Sequence, residues 1–244
     1  MPYTLYYAPD SANLVIRMAL EEMGLPYQQV LVDRDFKEHH QPEFLALNPQ
    51  GLIPVLIDAD QQAPLFETAA ILLHLAQKHG QLWPTNAGQT GDALKWLFYL
   101  SNTLHADLRV MFYTERYLPS PEAVATLRQG IRARIAGHFA LLEQQIAKSQ
   151  GPWLLGSVFS VCDVYLAVCA RWALIYPRGD ACDPSVISSC PQLSQLIRRL
   201  EQRQAVQTAL GKEGLLQANG APLSAPQLPA PAAPLNTSNT VNNA

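Results

Sequence analysis

The chain has 244 residues, 48% of them hydrophobic, and a formal net charge of -3. That is enough apolar material for one large core or two modest ones, and it leaves no basic excess of the kind that neutralises nucleic-acid phosphates. No run approaches the ~18 apolar residues of a membrane-spanning helix, and the opening MPYTLYYAPD lacks the basic region and long apolar stretch of a secretory leader; neither nucleic acid nor membrane is an expected partner.

In chain order, Tyr3 to Ala8 reads as a strand rich in Tyr and Leu. Asn13 to Met23 follows as a helix, with Leu14, Ile16, Ala19, Leu20 and Met23 on helical spacing and Gly24 as its stop. Tyr27 to Val32 is a second strand. Val55 to Asp58 and Ala63 to Phe66 form a hairpin across the polar turn Ala59-Asp60-Gln61-Gln62, and Glu67 to His79 is a helix ending at Gly80. The order β-α-β then β-β-α predicts a thioredoxin-like α/β domain with a mixed four-stranded sheet over residues 1–80.

Pro84, Asn86, Gly88 and Gly91 break the pattern and mark residues 81–91 as a linker. Beyond it the signals are helical: Asp92 to Tyr117, Pro121 to Lys148 with Pro121 in the first turn, a helix opened by Ser160 and running to about Ile175, Pro191 to Gln204, and a short piece from Val206 to Leu210. Residues 92–216 therefore predict an all-α bundle. The tail, residues 217–244, has no Asp, Glu, Lys or Arg and five prolines; with too little apolar periodicity to offset its ordering entropy, it is expected to be disordered.

The four cysteines, Cys162, Cys169, Cys182 and Cys190, make no CxxC pair, and no histidine pair stands near them at zinc-finger spacing. They read as buried thiols in a reducing, cytoplasmic setting, with no metal site. The groups Arg128/Arg132/Arg134 and Arg198/Arg199/Arg203 fall at helical spacing beside acids and read as solvated helix faces.

Two motifs carry the functional signal, and a third is structural. In Asn48-Pro49-Gln50-Gly51-Leu52-Ile53-Pro54-Val55-Leu56, Pro54 cannot donate to a ladder and must sit at a strand start. In Phe66-Glu67-Thr68-Ala69-Ala70-Ile71, a helix start offers free N–H groups to a carboxylate, while Glu67 can take an ammonium. Ser160-x-x-Asp163, after Trp153-Leu154-Leu155-Gly156, has capping-box spacing. Together these resemble the glutathione S-transferase superfamily over about residues 3 to 216. The phrases Leu5-Tyr6-Tyr7-x-Pro9, Trp96-Leu97, Leu104-His105 and Ala209-Leu210-x-x-Glu213-Gly214-Leu215 are most similar to its bacterial beta class.

The resemblance implies a cis Ile53-Pro54 bond that lets the Ile53 main chain pair with glutathione as an added strand, and γ-glutamyl binding by Glu67 and Thr68. It implies a homodimer, a detoxifying conjugation reaction, and His105 facing the active site from the helical half. The beta-class cysteine aligns with Ala12 and is absent. Three residues remain to activate the thiol: the Ser11 hydroxyl, the Asn13 amide, and Tyr6. The expected second substrate is a small hydrophobic electrophile against a wall drawn from Leu108, Met111, Phe112 and Trp172. Rival expectations are a glutathione-dependent peroxidase or thiol reductase, and a non-catalytic glutathione-binding relative.

Overall fold

The computed structural model describes residues 2–216 and residue 223. The first half is a four-stranded mixed sheet in the order β2-β1-β3-β4. Strand β1 (Tyr3–Tyr7) runs parallel to β2 (Tyr27–Leu31) and antiparallel to β3 (Val55–Asp58), which pairs antiparallel with β4 (Leu65–Phe66). The parallel step needs a crossover, and α1 (Asn13–Glu22) supplies it. Helix α1 buries Leu14, Val15, Ile16, Met18, Ala19 and Leu20 completely, because it packs on α3 (Thr68–His79) and also under α10 (Gln204–Lys212) and α7 (Val161–Ile175). That double cover explains a helix apolar on nearly every side.

The segment between β2 and β3 holds a 3-10 turn, Glu38–His40, and the short helix α2 (Pro42–Leu45), neither of which has a readable periodicity. The 48–52 turn that follows is stapled by Asn48. Its amide donates to the Leu52 carbonyl at 2.8 Å, and its Oδ1 accepts from the Gln50 N–H at 3.1 Å. Gly51 sits at φ +64°, where a Cβ would stand 2.8 Å from the His39 carbonyl oxygen. Only glycine allows this turn to lie against the 38–40 segment.

The second half is helical around α7, which is buried on almost its whole circumference. The expected capping box is there: the Ser160 hydroxyl accepts from the Cys162 N–H at 3.3 Å, and Asp163 accepts from the Ser160 N–H at 2.8 Å. Helix α6 spans Pro121–Lys148 as expected. Helices α8 (Ser185–Ser188) and α9 (Pro191–Glu201) complete the bundle before α10.

Three expectations are corrected. The single helix Asp92 to Tyr117 is instead α4 (Ala87–Tyr99), a π-helical turn at Leu100–Leu104, and α5 (His105–Phe112). It starts inside the stretch read as linker because Asn86 caps it, accepting from the Gly88 N–H at 2.8 Å. It ends at Phe112, where Tyr113 leaves helical geometry at φ -123°, ψ 33° and the Thr114 hydroxyl takes the Val110 and Met111 carbonyls. The tail lies outside the described residues except at Leu223. There the expectation of disorder fails: Leu223 is fully buried in the main core, and its N–H donates to Glu201 Oε1 at 2.8 Å. All four cysteines are free and buried, and no described helix is long and apolar enough to cross a membrane.

Candidate functional site

A cavity of about 500 Å³ opens between the two halves. On the sheet side it is floored by the loop after β1 (Asp10, Ser11, Ala12), the 48–54 segment, and the start of α3. On the helical side it is walled by α5, the end of α7 and the loop at Tyr176 to Arg178. Of the residues singled out from sequence, Ser11, Ile53, Pro54, Glu67, Thr68 and His105 all line it.

Ile53-Pro54 is cis, and a second cis bond, Tyr176-Pro177, lies across the cavity from it. Glu67 stands immediately before α3 at φ +70°, a conformation that L residues rarely hold. Its carboxylate accepts from the Gln50 amide at 3.2 Å. Thr68 opens α3 and is buried, so the helix presents its unpartnered N–H groups next to an acid.

Asn13 does not line the cavity. It is fully buried, its Oδ1 accepts from the Ala8 N–H at 3.1 Å and from the Ser11 hydroxyl at 2.5 Å, and its amide donates to Glu213 Oε1 at 2.6 Å. Its side chain thus holds Ser11 in place. Tyr6 packs edge-on to Phe44, in a small cluster with Val32 and Val55, away from the cavity lining.

Glu213 gathers the loop from behind. It also accepts from the Asp10 N–H at 2.8 Å and pairs with Arg17 at 2.9 Å, both side chains being fully buried. Burial pushes its carboxyl up to about 7 against the pull of Arg17. Asp10, itself buried, meets Arg171 through both carboxylate oxygens at 3.0 and 2.8 Å.

His105 begins α5, where the π turn shifts the helix phase; its N–H bonds the Leu100 carbonyl, five residues back. Its Nδ1 lies 2.7 Å from the Tyr165 hydroxyl and its ring packs tilted against Trp172, centroids 4.9 Å apart. Burial, with Arg109 adding repulsion, lowers His105 to about 4, so it is neutral at ordinary pH.

The expected apolar wall is half right. Phe112 and Trp172 line the cavity, whereas Leu108 and Met111 are fully buried in the core. Helix geometry explains the split: His105, Arg109 and Phe112 share one face of α5, and Leu108 and Met111 lie on the neighbouring core-facing side. Arg109 was therefore readable from its spacing to His105. Tyr176 and Arg178, on a loop, left no comparable signal. No described cluster of three or more His, Cys, Asp or Glu side chains could hold a metal ion.

Comparison with known proteins agrees with this geometry. The glutathione S-transferase N-terminal domain family matches residues 1–77, and a glutathione S-transferase C-terminal domain family matches residues 104–213. Glutathione S-transferase GstB of Escherichia coli K12 is 34% identical over 168 residues, covering 67% of this chain and 79% of that protein. Disulfide-bond oxidoreductase YfcG of the same strain is 31% identical over 179 residues, covering 71% and 80%. A solved structure of a glutathione transferase homologue from Sulfitobacter with bound glutathione superposes with TM-score 0.74 at 29% identity, over 88% of this chain and 100% of that one. With both halves matched and the cavity built at their junction, the chain belongs to the glutathione S-transferase family.

Proposed function

We propose that the protein binds glutathione in this cavity and activates its thiol for attack on a small, partly apolar electrophile. The observation that carries this is convergence: Ser11, Ile53-Pro54, Glu67-Thr68 and His105, distant in sequence, line one cleft. In this reading the γ-glutamyl ammonium meets Glu67, its carboxylate meets the start of α3, and the cysteinyl main chain pairs beside Pro54. The thiol then lies near Ser11.

Ser11 has one proton to give. Without ligand it goes to Asn13 Oδ1; rotation about the Cβ–Oγ bond turns it to the thiolate, a charged and stronger acceptor. Ser11 is thus the catalytic hydroxyl and Asn13 its positioning residue. The first N–H groups of α1, which a helix leaves without internal partners, add to the stabilisation. The thiol proton passes to solvent, the thiolate forms the C–S bond, and the leaving group departs with its bonding pair.

We further propose a cytoplasmic homodimer with a detoxifying role. The free buried thiols suit a reducing compartment, and exposed Phe98 and Leu141 on one apolar hollow with Trp96 suit a subunit contact. Similarity to a protein named a disulfide-bond oxidoreductase favours one second reading, in which the same thiolate attacks a disulfide or peroxide. The test is calorimetric glutathione binding together with conjugation of 1-chloro-2,4-dinitrobenzene. Binding with thioether formation supports the proposal, binding without it supports the alternatives, and no binding refutes all of them.

A further inference from the structure

The cavity carries more positive charge than glutathione uses. Arg34 after β2, Arg109 on α5, Arg116 in the turn after α5, and Arg178 after α7 all line it. Among the described residues none of the four is ion-paired with a carboxylate: Arg34 donates to the Tyr113 hydroxyl at 3.3 Å, and Arg116 lies over the Tyr113 ring at 4.0 Å. Their fields overlap. The charges of Arg34 and Arg116 both bear on His39, those of Arg34 and Arg178 on Tyr176, and that of Arg109 on His105 and Tyr165.

The neighbouring acids are engaged elsewhere. Asp10 is held by Arg171, and Glu115 and Asp180 are held by Arg128 and Arg132. Asp33 accepts the N–H groups of Asp35 and Phe36. Of the two carboxylates that line the cleft, Asp10 is neutralised by Arg171, and Glu67 stands at the γ-glutamyl end. Four guanidinium groups round a half-enclosed space repel one another and focus a field that favours an anion.

Glutathione does not exhaust that field. Its γ-glutamyl carboxylate goes to the start of α3, and its glycyl carboxylate can engage one or two guanidinium forks. The remaining cations stand beside aromatic side chains: Phe112 meets Tyr176 edge-on at 5.4 Å, and Trp172 packs tilted against His105 at 4.9 Å. We infer that the second-substrate side of the cavity takes electrophiles bearing an anionic group (carboxylate, sulfonate or phosphate) on a flat, aromatic-like body. This rests on the conjugation reading above and names its substrate class.

The test compares 4-chloro-3-nitrobenzoate with 4-chloro-3-nitrobenzamide at saturating glutathione. Each forms the C–S bond and loses chloride at the same ring carbon, and dividing kcat/KM by the uncatalysed rate removes the difference in ring activation. The benzoate should be favoured by about tenfold or more, as expected for charge-assisted contacts. The preference should shrink as salt screens the charges, and shrink in Arg109→Gln/Arg178→Gln. Equal enhancement of the two substrates overturns the inference and leaves the conjugation reading standing. A preference unchanged in the double variant, with a raised glutathione KM, assigns these arginines to the glycyl carboxylate and also overturns it. If neither compound nor 1-chloro-2,4-dinitrobenzene is conjugated, the conjugation reading fails; whenever neither compound is conjugated, calorimetry with 3-nitrobenzoate and 3-nitrobenzamide on the glutathione-saturated protein decides. Tighter benzoate binding that is lost in the double variant upholds the inference; equal binding overturns it.

Discussion

Replacing Ser11 with alanine tests the proposed chemistry at its centre. A free thiol of this kind has a pKa near 8.5. A hydroxyl donating to a thiolate is a charge-assisted bond worth about 1.5–3 kcal/mol. In this protein the hydroxyl must first leave Asn13 Oδ1, 2.5 Å away, which forfeits a neutral bond worth about 1 kcal/mol. The net stabilisation is therefore about 1.4 kcal/mol, or about one pH unit. Ser11→Ala should raise the bound thiol's pKa by about that unit, while glutathione affinity changes less because the Glu67 and Ile53 contacts remain. Thiolate ultraviolet absorbance of bound glutathione, followed against pH, reads the shift directly. Asn13→Ala should move the curve less, since Asn13 acts through Ser11. If Ser11→Ala overlays wild type while Asn13→Ala shifts, the asparagine is the activating residue and the assignment of roles is wrong.

Glu67→Gln keeps the side-chain shape at a positive-φ position and removes only the charge, so glutathione binding should weaken by about tenfold with the melting temperature held; unchanged affinity in calorimetry would remove Glu67 from the ammonium site. Truncation after Leu216 uncovers the core contact and Glu201 partner of fully buried Leu223, a loss of about 2 kcal/mol or ~4–8 °C in Tm; coincident melting curves would show that this contact contributes nothing. His105, held down to about 4, stays unprotonated in the folded state, so the stability it contributes is present above about 6.5 and is lost as pH falls towards 4. Its ring protons should show no NMR titration between about pH 5 and 8, and a midpoint above 6 contradicts the burial argument. Glu213→Ala strands the buried Arg17 guanidinium and should cost about 3–5 kcal/mol; a Tm within 2 °C of wild type, on a scale of about 2–4 °C per kcal/mol, rejects that accounting.

Local signals were enough where one segment decides its own structure. The 55–58 strand, the Pro121 helix start and the Ser160–Asp163 cap all depend on nearby residues, and each was readable. Ile53-Pro54 and Glu67-Thr68 could also be singled out locally, and both line the cavity, because a turn proline and an acid before a helix have local physical reasons to be where they are. The division of the Asp92 to Tyr117 stretch was hidden, since its apolar pattern continues through the π turn and only tertiary packing selects the break. Leu223 was hidden by composition: a proline-rich, uncharged stretch reads as disorder, and a single buried leucine leaves no period to detect. The arginine ring round the cavity was hidden because its members come from four separate segments, and each one alone is an ordinary surface residue.

Asn13 shows why the activating residue could not be settled locally. Read from the first domain alone, an asparagine in the first turn of α1 is as free as the serine two residues earlier. What commits it is Glu213, two hundred residues on, which takes the Asn13 amide and the Asp10 N–H together. Arg171 holds the Asp10 carboxylate from α7, and the Tyr176 hydroxyl donates to the Asp10 carbonyl at 3.4 Å. The loop that carries Ser11 belongs to the sheet domain by sequence, yet most of its polar anchors come from the helical domain. Salt bridges from Arg203 to Glu22 and from Lys212 to Glu21 clamp α10 onto α1 beside it. In the proposed reading the helical half does more than wall the second-substrate space: it fixes the Ser11 hydroxyl relative to the proposed ligand contacts at 53–54 and 67–68. A donor that must reach one sulfur gains from being held before the ligand arrives, and in this chain that preorganisation comes from the domain that does not carry the serine.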